Sequence, residues 1–340
     1  MKKGRRQQAG CRTRNLTLIT FVSLILIAIL TGASYGAQTQ KIRRIAWLSS
    51  AVYHLAETLR PGTLLAFTDG LRELGWIEGL NIAIEKRFAD EKFDQLPRLA
   101  AELVRDNVEV IVAPDEPAIR AAKDATTTIP IVMGTSSDAV SAGYIASLAK
   151  PGTNVTGLTA RSGELTGKRL QLLKEIAPSV SRVAVLGSSS HPAWNDVEMA
   201  GRALGIKILR APLYKPDDVI RAFNVARENR FNGLVVSDHF MATAHRYEIV
   251  TLVAQNRVPA IYHRDLFVFA GGLMSYGIDF RSVFRRAAYY VDKILKGSSP
   301  SDLPVEQPMA TELVINLKTA QAIGLKLPPE VLQRADKVIR

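Results

Sequence analysis

The sequence predicts an α/β protein made of two doubly wound parallel-sheet lobes, and three observations support this. Short apolar runs alternate with stretches of helical spacing along most of the 340-residue chain, which is the order of strand–helix units. Most of the runs are apolar throughout, as in parallel strands covered on both faces. Landmarks also recur at a nearly constant offset: Gly75 and Gly205 lie 130 residues apart, and Pro130 and Pro259 lie 129 apart. Two copies of one unit explain this spacing better than one long sheet does.

The first copy is predicted as four strand–helix units. The predicted strands are 44–48, 81–88, 108–113 and 129–133, and the predicted helices are 63–74, 96–104, 118–125 and 139–148. Gly75 occupies the position that ends a helix, and Pro151-Gly152 should end the fourth helix. A new strand then begins at Val155, where the chain is expected to cross into the second lobe.

The second copy repeats this order and is followed by a return to the first lobe. Its predicted strands are 183–186, 206–209, 234–236 and 258–262, and its predicted helices are 194–204, 217–227 and 247–256. A further crossing is expected near 271–277, before a helix over 283–295 with an apolar stripe. An irregular linker over 300–308 and a last strand over 313–317 complete the predicted fold.

Residues 1–37 differ in kind and predict an export signal. Six basic residues and no acid precede an uncharged apolar run from Leu16 to Leu30, and small residues follow. This is the order of a secretory signal peptide. The run is short for a membrane-spanning helix, which needs about 20 residues, although an uncleaved anchor remains the alternative. We therefore expect a periplasmic protein with residues 1–37 removed.

Charge and cysteine content exclude several functional classes. Removing residues 1–37 lowers the formal net charge from +12 to +6, because the six charges lost are all positive. So small an excess without a basic block argues against a nucleic-acid partner. Cys11 is the only cysteine, so the exported chain is expected to have no disulfide or thiol chemistry.

The exported protein is expected to be a monomer.

Polar turns at the predicted strand ends suggest where a ligand binds. In open parallel sheets ligands bind outside the carboxyl ends of the strands, and hydroxyls, amides and carboxylates there suit a small zwitterion or polyol. Each polar residue taken singly has a second interpretation as a helix N-cap. The candidate ligand-binding residues are Ser49, Ser50, Asp115, Glu116, Thr135, Ser136, Ser137, Asp138, Thr159, Ser188, Asp238, Tyr262 and Tyr276.

Signals for catalysis, cofactors or metals are weak. The nucleotide-binding, serine-hydrolase and zinc-protease motifs are all absent from the sequence. His239, His245 and His263 are better explained by surface or capping roles than by a zinc site. We therefore expect no catalytic residue, cofactor or metal. A periplasmic hydrolase using Asp115 or Asp238 as a general base is the less favoured alternative. A general base needs a neighbouring group that shifts its pKa towards neutrality, and no sequence pattern indicates such a group.

Eight stretches together resemble the ABC-transporter substrate-binding family described as tryptophan/tyrosine-type. They are GLRELGWIEGLN (70–81), LAAELV (99–104), IPIVM (129–133), GKRLQLLK (167–174), GGLMSYG (271–277), YVDKILKG (290–297), LPVEQP (303–308) and ELVINLK (312–318). Two stretches depart from the family pattern. Pro114-Asp-Glu-Pro117 stands where the family commonly has Gly-Gly-Thr-Pro, and Ser137-Asp138-Ala139 stands where it has Gly-Asp-Pro.

The resemblance implies a type I periplasmic-binding-protein fold with three crossings between the lobes. On that basis residues 38–157 and 276–308 are expected to form lobe 1, and residues 158–275 and 309–340 to form lobe 2, with the ligand between them. Hinge closure is expected near Gly157, Ser275 and Pro308. The resemblance also implies delivery of a solute to an inner-membrane permease and its ATPase; a ligand-sensing subunit for a membrane receptor is the alternative.

The expected ligand is an amino acid or a similar small polar metabolite. Asp138 and Asp238 are the candidates to receive its ammonium group, and Ser49, Ser50 and the turn 135–137 to receive its carboxylate. Tyr262 or Tyr276 is the candidate to cover its side chain. Asp115-Glu116 makes the first lobe acidic, which favours a cationic or amine-rich ligand.

Overall fold

The computed structural model describes residues 41–51, 62–136, 138–159, 162–187, 194–213, 215, 217–307 and 310–340. The predicted signal segment lies outside the described residues. Within the described part of the chain, no helix is both long and apolar enough to cross a membrane.

The first sheet has five parallel strands in the order β2-β1-β3-β4-β5. Its strands are β1 (Arg43–Ser49), β2 (Ile82–Phe88), β3 (Val110–Ala113), β4 (Ile131–Met133) and β5 (Val155–Gly157). The helices that accompany it are α1 (Thr63–Glu73), α2 (Leu96–Arg105) and α3 (Glu116–Ala125), and a short 3-10 turn over Phe93–Gln95 precedes α2. This sheet and these helices are the first lobe.

Both faces of the first sheet are buried, as its uniformly apolar strands predict. On one face Ala46 and Ile111 pack against α2 and α3. On the other face Trp47 packs between Phe67 of α1 and Phe284, with ring centroids 5.3 and 5.4 Å away. Phe284 lies in a helix that comes much later in the chain, so the first lobe is completed only when the chain returns to it.

The second sheet has seven strands in the order β12-β11-β10-β9-β8-β6-β7. They are β6 (Arg182–Gly187), β7 (Lys207–Pro212), β8 (Gly233–Val236), β9 (Ala260–Tyr262), β10 (Met274–Ile278), β11 (Thr311–Asn316) and β12 (Lys337–Ile339). The remaining helices are α4 (Ser162–Ile176), α5 (Trp194–Ala203), α6 (Asp218–Glu228), α7 (Phe240–Ala244), α8 (Arg246–Asn256), α9 (Asp265–Phe269), α10 (Phe280–Leu295), α11 (Leu317–Ala322) and α12 (Pro329–Gln333), and a 3-10 turn covers Pro300–Asp302. All of these except α10 and that turn form the second lobe.

The predicted fold class, two doubly wound parallel-sheet lobes, is confirmed, with one antiparallel pair added. β10 and β11 run antiparallel, and Ile278 at the end of one lies opposite Thr311 at the start of the other. The chain leaves the second sheet at Ile278, packs α10 against the first sheet, and re-enters beside the point where it left. A strand that re-enters there has to run back along its neighbour.

Three passages connect the two sheets, and they lie side by side. The first follows Gly157, the second contains Asp279, and the third runs from Glu306 to Ala310. The backbone N–H of Glu306 donates to the carbonyl of Gly157 at 3.0 Å, and that of Asp279 donates to the carbonyl of Ala310 at 3.0 Å. Ser275 lies inside β10, paired on both sides, while Pro308 lies outside the described residues.

Gly157 has a conformation that explains why a glycine stands at the first passage. Its φ is +122°, and a Cβ atom built on it would lie 2.4 Å from the carbonyl oxygen of Met133. Any other residue would have to push β4 and β5 apart. The chain therefore turns out of the first sheet at a position that tolerates only glycine.

The predicted helix over 139–148 is wrong. These residues form a series of turns that bury Tyr144 and Ile145 in the first lobe. The Asp138 carboxylate accepts hydrogen bonds from the backbone N–H groups of Val140 and Ser141 at 3.2 and 3.0 Å. Gly143 then adopts a φ of +72°, which a continuing helix does not allow. The apolar spacing reflected burial of a turn, which sequence periodicity does not distinguish from a helix.

Candidate functional site

Asp115 organises the carboxyl end of the first sheet. It is the N-cap of α3, where its Oδ1 accepts from the N–H of Ala118 at 3.1 Å. Its Oδ2 accepts from the Ser49 hydroxyl and from the N–H of Ser50, both at 3.0 Å. Burial raises the pKa of Asp115, and these hydrogen bonds act in the opposite direction. The donors at the ends of β1 and at the start of α3 therefore already hold a carboxylate that belongs to the protein.

Glu116 extends this acidic end of the sheet towards the neighbouring turn. Its Oε2 accepts from the Ser136 hydroxyl at 3.0 Å, and its Oε1 accepts from the Tyr144 hydroxyl at 2.6 Å. The pKa of Tyr144 is raised, first by burial and then by this hydrogen bond to a carboxylate. Tyr144 was not predicted as a site residue, because the sequence places it inside the segment misread as a helix.

Three further predicted residues support the turn that carries Ser136. The Thr159 hydroxyl donates to the carbonyl of Ser136 at 3.0 Å and accepts from the N–H of Ala139 at 3.3 Å. The Thr135 hydroxyl lies 3.5 Å from the carbonyl of Pro114. Asp138 caps the next turn and also accepts from the Ser141 hydroxyl at 2.7 Å. Ser137 and Ser188 lie outside the described residues. We call Ser49, Ser50, Asp115, Glu116 and Ser136 the acidic wall.

The second sheet presents guanidinium groups at its carboxyl end. Arg169 of α4 is buried, and its Nε donates to the carbonyl of Tyr276 at 2.7 Å. Burial lowers the pKa of Arg169 to about 10, while the nearby Asp238 acts to raise it. Arg246 at the start of α8 is also buried and donates to the carbonyl of Thr243 at 3.1 Å.

Arg264, which follows β9, lies between the two lobes. Its guanidinium carbon is 3.8 Å from the centroid of the Phe280 ring, at the start of α10. Its Nε is shielded from solvent and has no hydrogen-bond partner within the described residues. Burial lowers the pKa of Arg264; Asp265 and Asp238 act to raise it, Arg246 lowers it further, and Asp115 of the acidic wall also raises it. Asp115 is thus close enough for its charge to act on Arg264.

His263 is held in its neutral form between these arginines. The residue is buried, and its Nε2 lies 3.1 Å from the Thr243 hydroxyl and 3.7 Å from Oδ1 of Asp238. Burial lowers the pKa of His263 well below its ordinary value, and the charges of Arg169 and Arg264 lower it further. We call Arg169, Asp238, Arg246, His263 and Arg264 the basic wall.

The two predicted tyrosines have other contacts in this structure. Tyr262 is fully buried, and its ring stacks on Phe267 with centroids 4.8 Å apart. Its ring is therefore covered by the second-lobe core and not open to a ligand. Tyr276 is half-buried; its carbonyl accepts from Arg169, and its hydroxyl accepts from the Thr311 hydroxyl at 3.2 Å.

A cavity lies beside Arg264, where the second passage leaves β10. Its lining includes Thr63, Arg264, Ser275, Asp279, Phe280 and Glu312. Thr63 begins α1, a helix with no side-chain cap and no acidic residue in its first turn. Its N-terminus therefore adds a favourable potential for an anion. No group of histidine, cysteine, aspartate and glutamate side chains suited to a metal ion occurs among the described residues.

The arginines are the site residues that sequence reasoning missed. The pair His263-Arg264 follows the predicted strand 258–262, so its position at a strand end does indicate a site, although neither residue is among the predicted ligand-binding residues. Arg169 lies within a helix, and nothing in its spacing indicates that it reaches β10. Pairing a helix residue with a distant strand requires the tertiary structure.

Two α/β lobes connected by three passages, with polar groups at the facing strand ends, define a two-lobed binding protein. The model of the family described as ABC transporter substrate binding protein matches residues 61–339. The chain belongs to this family, whose members are binding proteins.

Three relatives illustrate the similarity. A tyrosine-binding protein of Clostridioides difficile is 27% identical over 266 residues, which is 76% of each chain. The crystal structure of a conserved domain protein from Vibrio cholerae is 26% identical, with a TM-score of 0.80 over 88% of this chain and 100% of that one. An ABC domain in complex with L-Trp from Streptococcus pneumonia has the same TM-score and coverage at 22% identity, and so supports the fold alone.

Proposed function

We propose that the protein binds an amino acid or a similar small zwitterion in the periplasm and delivers it to an ABC import permease and its ATPase. The observation that carries this proposal is the pair of unlike walls at the facing strand ends. Asp115 and Glu116 make one wall acidic, Arg264 makes the other basic, and Asp115 acts electrostatically on Arg264. A zwitterion presents opposite charges to two such walls.

The comparisons support an amino acid within this class. The relative that is 27% identical over 76% of each chain is a tyrosine-binding protein. Of the predicted ammonium acceptors, Asp238 already lies near Arg169 and Arg264, and Asp138 is occupied in capping a turn. We propose Glu116 as the carboxylate that faces the ligand ammonium, because each of its oxygens accepts only one hydroxyl hydrogen bond within the described residues and can accept another.

Closure of the lobes over the ligand is part of the proposed function. The three adjacent passages allow bending and restrict twisting, and Gly157 and Asp279 are the positions at which the chain changes lobe. A ligand that contacts both walls stabilises the closed form, because only that form offers both sets of contacts.

Thermal unfolding in the presence of candidate solutes tests the proposal. Amino acids, polyamines, sugars and purines are compared, each at a concentration well above micromolar. A ligand at 100 times its Kd adds about 2.7 kcal/mol to the free energy of unfolding, which is a readily measured shift in Tm. Stabilisation by sugars or purines alone would contradict the amino-acid assignment while leaving solute binding intact.

Delivery to a permease needs a separate test, because a receptor-linked sensor would bind in the same way. Deletion of the gene should abolish uptake of the radiolabelled solute that stabilises the protein. Unchanged uptake would favour the sensing role. Intact-mass measurement of protein from the periplasm tests export: the proposal requires a mature chain without the apolar run 16–30.

A further inference from the structure

We infer that Arg264 anchors the carboxylate of the solute, so that the ligand is a carboxylic acid oriented with its acid group against the second lobe. This inference rests on the proposed binding function and goes further by naming the group that is recognised and the residue that recognises it. Three observations support it.

The first observation is that the acidic wall has little left to offer an anion. The Ser49 hydroxyl, the Ser50 N–H and the Ala118 N–H all donate to Asp115. A ligand carboxylate bound at the same place would have to displace this buried carboxylate or lie against it, and like charges repel strongly where water is excluded. The acid group of the ligand therefore belongs elsewhere.

The second observation is the state of the Arg264 side chain. A guanidinium carries five N–H donors in one plane, yet its shielded Nε has no hydrogen-bond partner in the described part of the chain. A buried charged donor without a partner costs free energy that a bound acceptor recovers. A carboxylate is the acceptor whose two oxygens match the guanidinium edge.

The third observation is the orientation that Phe280 gives to Arg264. With the guanidinium carbon 3.8 Å from the ring centroid, the aromatic ring covers one face of the charged group. Packing on its face keeps the N–H groups of the guanidinium edge clear of the ring, and Arg264 also lines the adjoining cavity. The adjoining cavity contains the beginning of α1, whose uncapped N-terminus favours a negative charge in the same place.

Matched acids and amines test the inference on the wild-type protein. Tyrosine and tryptophan are compared by calorimetry with tyramine and tryptamine, and glucose serves as an uncharged probe. We expect at least one acid to bind, and the amine that lacks its carboxylate to bind at least tenfold more weakly. Equal binding of acid and amine overturns the inference.

Variants then locate the effect at Arg264. Arg264→Gln should weaken binding of the acid at least about tenfold, since a hydrogen bond to a charged group is lost. Arg264→Lys should weaken binding less, because lysine keeps the positive charge but lacks the paired N–H donors of the guanidinium. Arg285→Gln is the matched control, because Arg285 is exposed and pairs with Glu73. Wild-type affinity in Arg264→Gln overturns the inference.

The outcomes also separate this inference from the proposed function. Binding of glucose or of the amines alone leaves a solute-binding protein but removes the carboxylate anchor. Binding of no probe by the wild-type protein contradicts both. If Arg264→Gln fails to unfold cooperatively in the absence of ligand, the comparison of acids with amines on the wild-type protein decides the matter.

Discussion

The charged side chains of the two walls differ in how far the protein itself supplies their hydrogen-bond partners. In the acidic wall, the Asp115 carboxylate accepts three hydrogen bonds from the protein itself. In the basic wall, Arg264 rests on an aromatic ring and leaves its Nε without an acceptor among the described residues. The donors around Asp115 are paired within the described part of the protein, whereas the Nε of Arg264 is not. Under the proposed binding function, the second wall therefore gains more hydrogen bonding from a ligand than the first.

The comparison predicts that removing Asp115 damages the fold more than it damages binding. Asp115→Ala leaves the Ser49 hydroxyl and the N–H groups of Ser50 and Ala118 without their acceptor and removes the cap of α3. We expect a loss of roughly 3 kcal/mol in the free energy of unfolding, measured by urea titration. Asp138→Ala, which removes a turn cap, serves as a control and should cost about 1 kcal/mol or less. An Asp115→Ala protein as stable as the control would show that the acidic wall does not depend on its internal carboxylate.

The sequence predicted the first wall far better than the second, and the reason is physical. The first wall contains Asp115, Ser49 and Ser50, which lie at the carboxyl ends of their strands. Because parallel strands end at the same edge of a sheet, the sequence alone predicts that these residues lie together. The role of Asp115 as an N-cap is not predictable from the sequence, since an N-cap and a ligand contact have the same sequence signature. The basic wall draws Arg169 from a helix and Arg264 from a turn, and their meeting depends on lobe packing that no local pattern encodes.

The fold itself was largely predictable because parallel strands buried on both faces have a strong apolar signature. The segment 139–148 was misread because burial of a turn resembles a helical stripe. The antiparallel pairing of β10 with β11 was not anticipated either. It arises from the point at which the chain re-enters the second sheet, which is a property of the tertiary path.

Substitution of Phe93 is expected to weaken the contact between the two lobes without altering the charges of either wall. It comes from the 3-10 turn of the first lobe and packs against hydrophobic clusters of both lobes. Phe93→Ala should lower the free energy of unfolding by roughly 2 kcal/mol, about half of the loss at a fully buried phenylalanine. It should also favour the open form, because it removes contacts between the lobes. Small-angle scattering of the ligand-free protein should then give a larger radius of gyration. Phe269→Ala, at an exposed phenylalanine of the second lobe, is the control and should leave the radius unchanged.

His263 makes the basic wall sensitive to pH. Its pKa is lower in the folded than in the unfolded protein, so the unfolded state binds more protons once the pH falls below about 6.5. Stability should therefore decrease below pH 6.5 by up to about 1.4 kcal/mol per pH unit from this residue. Urea titrations between pH 7.5 and pH 5 should show a shallower slope for His263→Gln than for the wild type. His245→Gln, beside Glu248 on a more exposed surface, is the control; equal slopes in all three proteins would contradict the burial of a neutral His263.

The smallest expected effect concerns the third passage, where Glu306 connects the chain to the end of β5 and to α10. Glu306 forms two hydrogen bonds with Arg286 of α10, from Nε at 2.8 Å and from Nη2 at 2.6 Å, while its backbone N–H bonds to Gly157. The hydrogen bonds from Arg286 lower the pKa of Glu306. A carboxyl group with a lowered folded pKa contributes its stability above the unfolded pKa, about 4.3, and loses it as the pH falls through the folded value.

Both side chains of this pair are 41% exposed, so solvent screening keeps the contribution small. We expect a coupling free energy of about 0.5 kcal/mol at pH 7 from the double-mutant cycle of Glu306→Gln and Arg286→Gln. The coupling should vanish near pH 3 and fall with added salt. The same cycle measured with bound solute distinguishes a structural tie from a hinge element: a coupling that grows on ligand binding assigns the pair to the closed form, whereas an unchanged value places it outside the motion that brings the two walls together.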